Sequence, residues 1–315
     1  MDDKQWIRNT RGRYVARYGL RDVRGGPDRT RAGIAPGFTH ETVAYLRPKP
    51  VSDRNVHPPF PIHNSSALKT PRLGIDHSVR IGTNDIDRAK RATLPALVRH
   101  QNEAAMQNVL ALNLSVWDLE PEGISWVLLK QRFTVRRLPA LGESLRIVTY
   151  PAGFRRAFTY RDYRIFDASG NEILSCASQW LLLDLSTREM TLIPDHILAR
   201  AADLPPAADC LPQRFGRLPR ADAWTTVHQN QVRHFDLDWN DHLNNATYLR
   251  WLLEALPPGV LSERVPAELE IHYRREARLG DVLPAQFCAL PESGTYRLRL
   301  SDGATVFAEA WVRMQ

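Results

Sequence analysis

DLDWNDHLNNATYLRWLLE, residues Asp236 to Glu254, changes character halfway along. Its first part places Asp238, Asn240 and His242 at alternating positions. Its second part is amphipathic: Leu249, Leu252, Leu253 and Leu256 follow the i, i+3, i+4, i+7 spacing of a buried helix face, with Tyr248, Trp251 and Ala255 on an adjacent stripe. Asn244 or Asn245 suits the N-cap, and Pro257 with Pro258 ends the run. The alternation predicts an extended segment with the three polar side chains on one edge, just ahead of a helix N-terminus that favours negative charge. A histidine before a helix is also a common turn residue, and Asp and Asn cap helices routinely. Three polar groups on one edge exceed what capping requires, and a base, an amide and an anion-stabilising helix end suit acyl-transfer or hydrolytic chemistry.

The totals narrow the classes. A chain of 315 residues accommodates two domains, and 43% hydrophobic with 24% charged residues matches a globular protein. No apolar run reaches the length of a membrane-spanning helix, and the N-terminus carries no apolar core of a secretory signal. Stable membrane insertion is not expected. Cys176, Cys210 and Cys288 are scattered and odd in number, which argues against a disulfide framework or a cysteine metal site and for a reducing compartment. His228, His234 and His242 lack a metal-ligand spacing, and no glycine pattern forms a phosphate loop, so neither metal nor cofactor is expected.

The net charge of +7 is local. Residues 1–75 hold 14 of the 42 Lys/Arg against 6 of the 35 Asp/Glu, so the remainder is close to neutral. This basic extension, with Gly25-Gly26-Pro27 and Pro58–Pro61, reads as extended or disordered. The spacing of Arg8, Arg11, Arg13, Arg17, Arg21 and Arg24 admits a short basic helix. A nucleic-acid or membrane-surface arm is the sharper reading of such a tail, a solvated extension or a mis-called start codon the plainer and favoured one, and an organelle transit peptide is disfavoured by Asp2 and Asp3; nucleic acid is not expected as a partner.

Beyond residue 76 the chain repeats itself. FTVRRLPALGESL (Phe133–Leu145) and IHYRREARLGDVL (Ile271–Leu283) align without gaps, matching at Arg136/Arg274, Arg137/Arg275, Leu141/Leu279, Gly142/Gly280 and Leu145/Leu283. Asp85-Ile86-Asp87 precedes a predicted helix from about Thr93 to Leu114, as Asp236-Leu237-Asp238 precedes the second. In that first helix Leu94, Leu97, Val98, Ala105, Val109 and Leu112 form the apolar side. Asn240 is matched by Ala89, His242 by Arg91 and Glu276 by Leu138. Turn and core positions persist in both copies while the reactive groups exist only in the second, an asymmetry that a structural role does not predict. Each copy reads as one long helix and several antiparallel strands, an α+β layer arrangement. The domains are expected at 76–198 and 223–315, with a Pro- and Ala-rich linker at 199–222.

The motif DLDWNDHLNNATYLRW and the segment ELEIHYRREARLGDVL resemble acyl-acyl carrier protein thioesterases, as do Trp126-Val127-Leu128, Arg161-Asp162-Tyr163, Ser178-Gln179-Trp180-Leu181 and Thr187-Arg188 followed by Ile193-Pro194. The resemblance covers residues 76–315 and implies two tandem hotdog domains, each a long helix wrapped by an antiparallel sheet, the first holding the acyl chain and the second catalytic. It implies hydrolysis of fatty acyl-acyl carrier protein, with Glu276 as base or water anchor, His242 as orienter and proton shuttle, Asn240 polarising the carbonyl and Asp238 holding the loop. Members often carry Cys after the glutamate; here that position is Ala277, so water-based hydrolysis is expected. The implied partner is an acidic carrier protein, for which Arg136/Arg137, Arg155/Arg156 and Arg274/Arg275 are candidate contacts. Trp117, Phe158 and Tyr160 read first as core residues, with lining of that acyl cavity the alternative. A homodimer is compatible with the hotdog habit of pairing. The compartment expected is cytoplasmic, or the plastid stroma in a photosynthetic eukaryote. The rival activities are an acyl-CoA thioesterase, a hydratase-type hotdog enzyme and a silent acyl-binding protein.

Overall fold

A computed structural model describes residues 69–213 and 215–315, and two short strands within residues 1–56, which form a compact unit separate from residues 57–315. In the first unit β1 (Trp6–Arg8) pairs antiparallel with β2 (Tyr14–Ala16). Arg8 therefore lies on a strand and not on the basic helix that the arginine spacing admits. Trp6, Ile7, Tyr14 and Val15 are strand-favouring residues, and that preference outweighs the spacing. The remaining arginines of that run lie outside the described residues.

In the second unit the first copy supplies β3 (Ile75–Arg80), β4 (Ile124–Val135), β5 (Ser144–Arg155), β6 (Phe158–Phe166), β7 (Glu172–Asp184) and the short β8 (Met190–Thr191). The second copy supplies β9 (Thr225–Gln231), β10 (Pro266–Tyr273), β11 (Val282–Ala289), β12 (Thr295–Ser301) and β13 (Val306–Met314). All eleven form one antiparallel sheet in the order β3-β5-β6-β7-β4-β10-β13-β12-β11-β9, with β8 added to β7. From either edge inward the two halves have the same strand order, and β4 pairs with β10 at the centre. Arg132, the counterpart of Glu270 in the repeat, stands opposite Glu270 itself in that pairing, so a local two-fold axis passes between them. Their side chains form an ion pair of 3.7 Å.

One long helix lies in each half. Helix α1 (Leu94–Ala111) starts at Thr93, whose Oγ1 accepts the Ala96 N–H at 3.2 Å. Helix α2 (Asn245–Glu254) starts at Asn244, whose Oδ1 accepts the Ala246 N–H at 2.9 Å. The buried face of α2 includes Tyr248, Leu249, Trp251, Leu252 and Leu253, as its spacing predicts. Helix α1 differs from expectation. Its core-facing row runs through Leu97, Gln101, Ala104 and Asn108, whereas Ala105, Val109 and Leu112 border a cavity. Asn108 is tolerated there because Nδ2 donates to the Leu73 carbonyl at 3.0 Å and Oδ1 accepts from Arg161 at 2.8 Å. Leu97, Val98, Phe133, Leu249, Leu252, Leu269 and Val312 belong to one continuous core spanning both copies. Among the described residues no helix is long and apolar enough to cross a membrane.

The connection between the copies is a strap, with two short 3-10 turns, across the sheet face opposite the helices. The Leu211 N–H donates to Asp162 Oδ2 at 2.6 Å, Arg297 donates to the Pro219 carbonyl, and Trp224 lies 4.1 Å from the Arg299 guanidinium. Beneath the strap Asp162 is fully buried, and its Oδ1 has no partner. Burial pushes the Asp162 carboxyl up to about 7 from 3.8. Between these values the folded chain binds a proton that the unfolded chain has released, so stability falls as pH rises. Wild type should lose at most about 4 kcal/mol of unfolding free energy between pH 4 and 8. Asp162→Asn should flatten that slope in denaturant titrations across the range, and an unchanged slope would assign the loss to other groups.

Candidate active site

The segment ahead of α2 is a closed turn, not the extended run expected from its alternation. The Asp238 N–H donates to the His242 carbonyl at 2.8 Å, and the Asp238 carboxylate Oδ1 accepts the N–H groups of Asn240 at 2.8 Å and His242 at 3.3 Å. Asp241 takes a left-handed conformation, φ +57°. A carboxylate that gathers two amides of its own turn outcompetes the extended conformation. The first copy makes the same turn: Asp87 Oδ1 accepts from Ala89 at 2.8 Å and Arg91 at 3.2 Å, and Lys90 has φ +61°. Asp238 thus closes the turn as Asp87 does in the first copy, while Asn240 and His242 are added to a shared frame. Burial pushes the Asp238 carboxyl above its ordinary value, against the opposing effect of these amide bonds.

Glu276 reaches the turn from the segment after β10. Two hydrogen bonds bracket it: Tyr248 Oη donates to the Arg275 carbonyl at 2.9 Å, and the Leu243 N–H donates to the Ala277 carbonyl at 2.8 Å. The second bond has its counterpart in Ala92 N–H to the Pro139 carbonyl, 2.7 Å, in the first copy. The duplicated scaffold thus places Glu276 beside His242, with His242 Nε2 and Glu276 Oε2 3.2 Å apart. Arg278 Nη2 stands 3.4 Å from His242 Nε2 and 3.8 Å from Glu276 Oε2. It can donate to the imidazole only when Nε2 carries no proton, whereas Nε2 donates to Glu276 when it does. Asn240 lines the same cavity, and its carboxamide has no hydrogen-bond partner among the described residues.

Sequence reasoning missed two groups. Arg188, from the turn between β7 and β8 of the first half, donates to Glu276 Oε2. Asn102 of α1 and Asn245 of α2 exchange amide hydrogen bonds of 2.7 and 3.3 Å, tying the two helices together beside the cavity. Neither is visible in a linear pattern, because each joins residues of different copies.

His242, Glu276, Asn240 and Asp238 all border a cavity of about 1370 Å³ that continues between the halves past Val109, Leu112, Val127, Phe154 and Tyr160. Trp117, Phe154 and Tyr160 line it, and Phe158 does not. Trp117 and Trp239 meet at the surface, ring centroids 5.7 Å apart. None of the three cysteines borders the cavity, and Ala277 is fully buried, pointing away from it. Of the candidate arginine pairs, Arg136 and Arg137 are engaged by Glu172, Glu143 and Asp167, and Arg274 by Glu309. No cluster of three or more His, Cys, Asp or Glu with metal-binding geometry occurs among the described residues.

Comparison with known proteins agrees with this architecture. A palmitoyl-acyl carrier protein thioesterase of Cuphea hookeriana chloroplasts is 28% identical over 243 residues, covering 72% of this chain; the chain spans 59% of that relative's length. Two solved structures share the fold. An acyl-ACP thioesterase from Bacteroides thetaiotaomicron superposes with TM-score 0.69 at 20% identity, over 77% of this chain and 98% of that one. The 12:0-ACP thioesterase from Umbellularia californica gives 0.70 at 19% identity, over 79% and 99%. The acyl-ACP thioesterase N-terminal domain matches residues 74–201 and the C-terminal domain residues 220–304. With both domains matched in order over more than half of its length, the chain belongs to the acyl-ACP thioesterase family.

Proposed function

We propose that this chain hydrolyses the thioester of fatty acyl-acyl carrier protein, releasing free fatty acid and carrier thiol. The observation that carries the reading is the 3.2 Å contact between His242 and Glu276 on the wall of a largely apolar cavity of about 1370 Å³. A thioester is already activated, so hydrolysis needs a positioned water, a proton acceptor and a place for oxyanion charge.

Glu276 holds the attacking water and takes up its proton. The free oxygen for this is Oε1, since Arg188, Arg278 and His242 all approach Oε2. Water oxygen bonds to the carbonyl carbon, and the carbonyl electrons move to oxygen. The Asn240 carboxamide and the Asn245 N–H at the start of α2 stabilise that charge; the cap engages the next amide, Ala246, and leaves this one free. Collapse expels the thiolate, which takes the Nε2 proton of His242, and the proton that Glu276 took from water then passes to His242, so both residues return to their starting state. Asp238 keeps Asn240 and His242 in place. No cysteine nucleophile is used. The first half receives the acyl chain, and an acidic carrier docks at the rim, where Arg275 and Arg278 are exposed.

His242→Ala and Glu276→Gln should each reduce turnover by about 10²–10⁴, and Asn240→Ala by about 10²–10³, with thermal unfolding little changed. Near-normal activity in the first two would refute the assignment. A panel of acyl-carrier and acyl-CoA thioesters of matched length should be cleaved faster when carrier-bound; a preference for CoA would replace the carrier reading. Alkylation of exposed thiols should leave activity within about two-fold, because the proposed water mechanism needs none.

A further inference from the structure

Arg188 belongs to the half that lacks Asn240, His242 and Glu276, yet its guanidinium lies on Glu276. Its turn is built to hold it there. Asp184 Oδ1 accepts the Ser186 N–H at 2.8 Å, the Ser186 hydroxyl at 2.6 Å and the Thr187 N–H at 2.9 Å. The Arg188 N–H donates to the Asp184 carbonyl at 2.9 Å, and β8 returns alongside β7. Arg188 itself sits at φ +62°, a left-handed conformation that Gly or Asn would occupy with less strain. A long cationic side chain at a strained turn position, aimed at a carboxylate of the other half, points to a site role.

Resting on the hydrolytic reading above, we propose that Arg188 is a positioning residue for Glu276, which makes the active site a composite of both halves. A carboxylate held only by His242 and by the more distant Arg278, at 3.8 Å, can rotate and exchange its oxygens. A further close donor on the same oxygen fixes the plane, so Oε2 faces Arg188 and His242 while Oε1 faces the substrate water. The first copy has Leu138 where Glu276 stands, so no carboxylate requires an arginine there. The acyl-holding half thereby acts on the chemical step without touching the reacting atoms.

The test is steady-state kinetics on acyl-carrier thioester with R188A, R188K, E276Q and the double variant R188A/E276Q, each checked for wild-type thermal unfolding. R188A should lose about 10- to 100-fold in kcat with KM changed less than about three-fold. R188K should recover part of the loss, as should added guanidinium ion with R188A. In the E276Q background R188A should cost nothing further, because its effect passes through that carboxylate. Activity of R188A within two-fold of wild type beside an impaired E276Q would overturn the inference alone. So would a loss confined to KM, or one that persists undiminished in E276Q. A fully active E276Q would overturn the hydrolytic assignment and this inference with it.

Discussion

The antiparallel pairing of β4 with β10 is the constraint on which the rest depends. It makes one eleven-stranded sheet from two copies of a unit, and it sets Arg132 against its own counterpart Glu270. Once that register is fixed, the two helices lie side by side, joined by Asn102 and Asn245, and the core runs through both halves without a break. A shift of one residue would turn every side chain of β10 to the other face and place Glu270 and His272, now on the strap side, in the apolar core. The cavity exists because the halves are not separate bodies: its walls come from both.

The duplication also separates frame from chemistry. Both copies close an Asp turn before their helix, and both tie that turn to the segment beyond the second strand of the repeat through equivalent backbone bonds. Such a frame holds any side chain at those positions. In one copy it holds Ala89, Arg91 and Leu138, and in the other Asn240, His242 and Glu276. The composite nature of the proposed site follows from the same geometry, because a turn at the end of β7 in the first half lies over the segment after β10 in the second.

Two polar groups that hold the frame are matched, and two that face the cavity are free. Asn108 is bonded at both ends, and the Asp238 carboxylate is bonded by two amides. The Asn240 carboxamide and Glu276 Oε1, both bordering the cavity, have no hydrogen-bond partner among the described residues. Away from the cavity, buried atoms without a partner include Asp162 Oδ1 beneath the strap and both amide atoms of Gln101 in the core-facing row of α1.

The sequence by itself determined what is local. Helix α2, its Asn244 cap, the strand–turn–strand repeats and the asymmetry between Glu276 and Leu138 are all legible, because periodicity and turn chemistry act over a few residues. The edge strands β3 and β9 were not, since short segments at a sheet edge bury little and leave a weak apolar signal. The folding of Asp238–His242 into a turn was misread as an extended run, because alternation in sequence does not show which amides a carboxylate will gather. Only the tertiary structure decided that α1 faces the core with Gln101 and Asn108 and the cavity with Val109, that Trp117 meets Trp239, and that Arg188 reaches Glu276. The physical reason is common to all three: each is a contact between groups distant in the chain, set by sheet register and helix packing, which leave no period in either segment.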